Sequence, residues 1–122
     1  MKRSSDRILT SHVGSLIRPP ALQEFLRDKQ AGKPYDKRTY ERCLTESVAG
    51  IVRAIQYAVS VAGVDHVGLG SDFDGATTAP FDTTGIPLIT EGLRSASVSD
   101  EDIAKIMGGN VLRVLRQTLP PA

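Results

Sequence analysis

The sequence predicts an α/β chain with two principal strands and four or five helices. Two short runs rich in β-branched and apolar residues, Ile8–Val13 and Val64–Leu69, have the composition of strands, and a glycine-containing turn stops each one. Elsewhere apolar residues recur at spacings of three and four, the period of helices with one buried face. The chain has 122 residues, 40% of them apolar, which suits a single core of modest size.

Residues 1–6 are charged or small and offer nothing to bury. Ile8–Val13 follows as the first strand and ends at Gly14-Ser15. Pro19-Pro20 blocks helix before it and suits the first helical turn after it, so a helix is expected from Pro20 to about Ala31, with Leu22, Phe25 and Leu26 inward. Gly32-Lys33-Pro34 ends it. Asp36 then caps a longer helix to Ala62, with Gly63 as its stop and an apolar stripe of Leu44, Val48, Ile51, Val52, Ile55, Ala58, Val59 and Ala62. Gly50 is the weak point of that helix, costing about 1 kcal/mol against alanine.

Val64–Leu69 is expected as the second strand. It runs into Gly70-Ser71-Asp72-Phe73-Asp74-Gly75, so Asp72 and Asp74 emerge where the strand stops, the place where parallel sheets present ligand-binding groups. Ala76 to Gly85 is a threonine-rich loop without periodicity. A short helix is expected over Leu88–Arg94. Another begins at Ser99, whose hydroxyl caps a turn carrying Asp100, Glu101 and Asp102, and it buries Ile103, Ile106 and Met107 before Gly108-Gly109 ends it. The last helix, Asn110 to about Thr118, starts on an asparagine cap and buries Val111, Leu112, Val114 and Leu115.

Composition excludes several classes. A net charge of +1 gives no nucleic-acid or membrane surface. No apolar run reaches the 18–20 residues, roughly, that a membrane span needs, and Ser4-Ser5-Asp6 stands where a secretory signal would turn apolar. The single cysteine, Cys43, allows no intrachain disulfide and reads as a buried or half-buried thiol on a helix; with it goes the expectation of a cytoplasmic protein. The only histidines are His12 and His66, and His66 reads as a strand residue with its hydrogen bonds satisfied. Asp72-x-Asp74-Gly75 lacks the other acidic positions of a calcium loop, and Gly68-x-Gly70 lacks the third glycine and the helix of a dinucleotide fingerprint.

Ile55-Gln56-Tyr57-Ala58-Val59, the run from Val61 through Asp72-Phe73-Asp74-Gly75, and Gly108-Gly109-Asn110-Val111-Leu112-Arg113-Val114-Leu115 together resemble the membrane (renal) dipeptidase family of zinc peptidases. The resemblance covers a little over half of the chain, all C-terminal. It implies a zinc-dependent barrel enzyme that hydrolyses dipeptides, and it makes Asp72 the residue facing substrate and metal-bound water. The family's metal ligands, a His-x-Asp pair, a bridging glutamate and two further histidines, lie upstream of the matching region. Zinc is thus implied by resemblance only, with an incomplete ligand set.

The N-terminal part resembles a different family. Ile8-Leu9-Thr10-Ser11-His12-Val13-Gly14-Ser15-Leu16-Ile17-Arg18-Pro19, followed by Lys29-Gln30-Ala31-Gly32-Lys33-Pro34-Tyr35-Asp36, is similar to the start of short proteins related to cobalamin-independent methionine synthase. That resemblance implies that Gly14 and Ser15, with His12 beside them, hold an amino-acid-like ligand. The expected organisation is a methionine-synthase-like segment 1–54 and a dipeptidase-like segment 55–122, joined through the helix 36–62 into one folded unit. Since a complete (β/α)₈ barrel takes about 200–250 residues, the expected fold is a partial (β/α) barrel-like fragment.

Three readings follow. The first is a zinc dipeptidase fragment that contacts a dipeptide through Asp72 and is inactive alone for want of metal ligands. The second is a noncatalytic binding or structural fragment that self-associates as a homo-oligomer, because two strands and several helices leave sheet edges and apolar faces to cover. The third is a methyltransferase fragment acting through Ser15.

Overall fold

The computed structural model describes residues 20–70 and 83–119, and all regular structure among them is helical. The order is α1 (Pro20–Gln30), α2 (Lys37–Ala62), a 3₁₀ turn at Val64–His66, a second at Thr83–Gly85, α3 (Ile86–Ser95), α4 (Asp100–Ala104), a π-helical turn at Lys105–Gly109, and α5 (Asn110–Thr118).

The expectation of an α/β, partly barrel-like fragment with two strands is therefore corrected: the described residues contain no strand and no sheet. Ile8–Val13 lies outside the described residues. Val64–Leu69 begins as a 3₁₀ turn and becomes extended at Val67 (φ −108°, ψ 133°). From there it alternates as a strand would, Val67 buried, Gly68 exposed, Leu69 half-buried and Gly70 exposed. A strand also needs a neighbour to share its backbone hydrogen bonds, and none is present among the described residues. Apolar composition and alternation describe the burial of this segment, not its pairing.

The helices form as expected because their signals are local. Asp36 caps α2, its carboxylate accepting from the Arg38 amide at 3.0 Å and from the Thr39 hydroxyl at 2.6 Å. The Thr39 hydrogen bond, set against desolvation that pushes the other way and joined by the amides of Arg38 and Thr39, holds the Asp36 carboxyl below its ordinary range. Gly63, with φ +85°, stops α2, its amide donating to the Val59 carbonyl. Ser99 caps α4 by accepting from the Asp102 amide at 3.1 Å. α3 extends over Ile86–Ser95, two residues earlier and one later than Leu88–Arg94.

Two apolar clusters hold these elements. In the smaller, Leu22 and Leu26 of α1 meet Cys43 of α2, flanked by Phe25 and Tyr40. Edge-to-face ring contacts of Tyr35 with Phe25 (6.5 Å) and with Tyr40 (5.5 Å) close its open side. In the larger, Val48, Val52 and Ile55 of α2 pack with Val67, with Ile89 and Leu93 of α3, and with Ile103 and Ile106. The α2–α3 seam is tight at Gly92, where a β-carbon would stand 2.8 Å from Cγ2 of Val52 and 3.2 Å from Cγ1 of Val48.

Two further expectations change at the C-terminal end. Gly108-Gly109 does not end the helical run; the chain kinks at Gly108 (φ 156°, ψ −19°) and continues into α5. α5 also turns its apolar side outward, leaving Val111, Leu112, Leu115 and Leu119 46%, 53%, 43% and 61% exposed. No helix among the described residues is long and apolar enough to cross a membrane.

Candidate functional site

The best-defined polar arrangement is a grip by the chain between Lys105 and Arg113 on the turn that follows α2. Asn110 is 7% exposed, and its side-chain nitrogen donates to the carbonyl of Val64 at 2.7 Å and to that of Val67 at 2.8 Å. One turn of helix further on, Arg113 donates to the carbonyl of Asp65 at 2.6 Å. Lys105 places its ammonium 3.2 Å from the Asp65 carboxylate and 3.4 Å from that of Glu101, with Asp102 at 3.9 Å. Asp65 and then Glu101 hold the Lys105 ammonium above its ordinary range.

Local backbone geometry makes this grip possible. The π-helical turn inserts one extra residue, so the Asn110 amide donates to the Lys105 carbonyl, five residues back, instead of four. Gly108 adopts a positive φ that side chains resist, and a β-carbon on Gly109 would lie 2.9 Å from the Ala104 carbonyl oxygen. The kink brings Asn110 against the 64–67 turn, where its amide acts on carbonyls 43 and 46 residues away. Asn110 thus does not cap the start of α5 with its side chain, the role its position suggested; it supplies the hydrogen bonds that a neighbouring strand would have given the carbonyls of Val64 and Val67.

The sequence-predicted site residues fall elsewhere. Asp72, Gly14, Ser15 and His12 lie outside the described residues, as does Asp74. The gripped carbonyls are those of Val64, Asp65 and Val67, the last of them five positions before Asp72 in the sequence. His66 is exposed on the 3₁₀ turn and not a strand residue. Cys43 is 8% exposed and packs in the smaller cluster. Asn110, Arg113 and Lys105 were missed as site-forming residues; the signal that could have found Asn110 is its place directly after two glycines, where a helix stop needs only one.

Among the described residues no group of three or more His, Cys, Asp and Glu side chains could hold a metal ion.

A sequence profile of the family described as membrane dipeptidase (peptidase family M19) matches residues 8–120. The chain belongs to the membrane dipeptidase family. Its similar relatives include the dipeptidase aclJ of Aspergillus oryzae, 43% identical over 72 residues that cover 57% of this chain and 17% of that protein. The dipeptidase tcpJ of Claviceps purpurea is 36% identical over 74 residues, 58% of this chain and 17% of that protein. An uncharacterized protein in the pqqA 5' region of Klebsiella pneumoniae is 41% identical over 68 residues, 54% of this chain and 25% of that protein. The chain thus matches a quarter or less of the length of these relatives. No solved structure matches it significantly.

Proposed function

We propose that this chain is a zinc-dipeptidase fragment that contacts a dipeptide through Asp72 and turns over little or no substrate alone. The observation that carries the reading is the family match over residues 8–120, together with relatives named dipeptidases. Zinc is part of the proposal through the family; a catalytic zinc needs three protein ligands and an open position, which the described residues do not assemble. Gly14, Ser15 and His12 are proposed as further contacts to the amino-acid-like part of the ligand, on the likeness to the methionine-synthase-related proteins. A cytoplasmic setting belongs to the same proposal and rests on the single cysteine.

The test is zinc content and dipeptide hydrolysis of the purified chain, with and without added zinc. The expected outcome is dipeptide binding that weakens in Asp72→Ala, with no zinc-stimulated turnover. Turnover with bound zinc would overturn the inactivity, and equal binding by Asp72→Ala would overturn the role of Asp72.

A second reading, a self-associating noncatalytic fragment, is favoured by one observation. Leu112 and Leu115 of α5, with Leu119 just past its end, are exposed apolar side chains at spacings of three and four. A second copy of the chain is the proposed cover. Light scattering on the native chain and on Leu112→Ser/Leu115→Ser decides it: a native dimer that the double variant dissociates supports the reading, and a native monomer removes it.

A further inference from the structure

We propose that α5 is a latched arm: it opens at Gly108-Gly109 as one unit while α1 to α4 stay folded, and Asn110 and Arg113 are its latch. The inference is independent of Asp72 and of any ligand.

Helices in proteins owe most of their stability to a packed apolar face, and one shorter than about 12–15 residues is marginal on its own. α5 has nine residues. Among the described residues none of its side chains belongs to either apolar cluster. Asn110 is its one buried residue and Val114 is half-buried, while Leu112 and Leu115 are exposed. α3, of similar length, differs: Ile89 and Leu93 are 4% and 0% exposed and sit in the main cluster. What the described residues supply to hold α5 is two hydrogen bonds from Asn110, one from Arg113, and the close approach of Val111 to Gly68.

The boundary of the arm falls at the two glycines. Before them, Ile103 and Ile106 are 5% and 1% exposed in the main cluster and Lys105 pairs with Asp65, so α4 and the π-helical turn are fixed to the core. Gly108, at a φ that side chains resist, takes up the change of direction when the arm swings. Beyond it the latch is polar, and both ends of each hydrogen bond find water once the arm leaves. Such a bond shifts an equilibrium by about two- to tenfold net, so three together favour the closed arm by roughly 10- to 1,000-fold. Global unfolding of a domain is disfavoured by roughly several thousand-fold or more. α5 therefore opens more often than the chain unfolds. Each opening also frees the carbonyls of Val64, Asp65 and Val67, so the turn after α2 loosens with the arm.

Hydrogen exchange followed by mass spectrometry on the dilute chain tests this, comparing peptides of α5 with those of α2 and α3. The native α5 amides should be protected at least about tenfold less than amides around Val52 and Leu93. Asn110→Asp removes both donors of the latch and should speed α5 exchange about tenfold. Gly92→Ala strains the α2–α3 seam and leaves the contacts of the arm in place. It should speed exchange in α2 and α3 about fivefold and change α5 under about twofold. Leu93→Ala takes its place should Gly92→Ala leave the melting temperature unchanged. Protection of α5 equal to that of α2, or equal acceleration of all three helices in the seam variant, overturns the independent opening. Native α5 exchange in Asn110→Asp overturns the latch, and so does loss of α2 and α3 helicity in that variant by circular dichroism, because Asn110 then holds the core and not an arm.

Discussion

Gly92→Ala probes how closely α2 and α3 are held. The added methyl would stand 2.8 Å from Cγ2 of Val52 and 3.2 Å from Cγ1 of Val48, where carbon atoms ordinarily stand about 3.5–4.0 Å apart. Valine on a helix is confined to essentially one rotamer, so neither side chain can swing away and the helices must part by roughly 0.7 Å at the seam. That movement loosens contacts of Val48, Val52 and Ile55 with Ile89 and Leu93 in the main cluster. Overpacking of this kind costs about 1–3 kcal/mol, and alanine's better helix propensity returns about 1 kcal/mol. The expected net loss is about 1 kcal/mol, a fall in Tm of about 4–6 °C for a chain of this size. Thermal melts followed by circular dichroism measure it. The same substitution in a Val52→Ala background should be neutral or stabilising, because the closest clash is gone, giving a coupling of about 1 kcal/mol. A single variant that melts at or above the native temperature, or an equal loss in both backgrounds, would refute the account.

Three other outcomes are expected. Leu93 is fully buried between the helices, so Leu93→Ala should lose about 3–5 kcal/mol, a large share of a usual total of about 5–15, read as that fall in unfolding free energy by urea titration. Asp36 has a lowered native pKa, so its stabilising effect is present above the unfolded value of about 3.9 and is lost as pH falls through the native one. The gap in Tm between native protein and Asp36→Ala should therefore be full at pH 6 and shrink below pH 4. Gly108→Ala forces a side chain into φ 156°, with an expected cost of about 1–3 kcal/mol and an Asn110 that no longer reaches both carbonyls. Loss of protection of the Val67 amide in hydrogen exchange would register that second effect.

The helices were legible because their signals act over three or four residues. Asp36 and Ser99 cap as their chemistry suggests, Gly63 stops α2, and the stripe through Val48, Val52 and Ile55 meets the core. Period reports that a helix has an apolar face but not which way the face points. The outward turn of Leu112 and Leu115 follows from Asn110 and Arg113 anchoring another side of α5, and those bonds reach back 43 to 48 residues. Asn110 was misread for the same reason: asparagine is a favoured cap, and a partner that far away leaves no local trace. Of the candidate site, the sequence singled out Asp72 at the end of the 64–70 segment, while the side chains that hold the segment came from the structure.

The misread strand shows what composition leaves undecided. Val64–Leu69 has β-branched, alternating residues, and its burial follows that alternation from Val67 onward. Whether such a segment becomes a strand depends on what satisfies its carbonyls, since each buried one left without a donor would cost about 1–3 kcal/mol. Here the Val64, Asp65 and Val67 carbonyls take N–H groups from Asn110 and Arg113. Side chains on one helix thus replace the backbone of a neighbouring strand, and a sequence with strand composition settles against helices alone. The replacement is specific, because it requires Gly108 at a positive φ, Gly109 against the Ala104 carbonyl and a primary amide immediately after them. The Gly-Gly-Asn unit and the turn at Val64–Val67 are therefore two halves of one structural device, although 43 to 46 residues separate Asn110 from the carbonyls it holds.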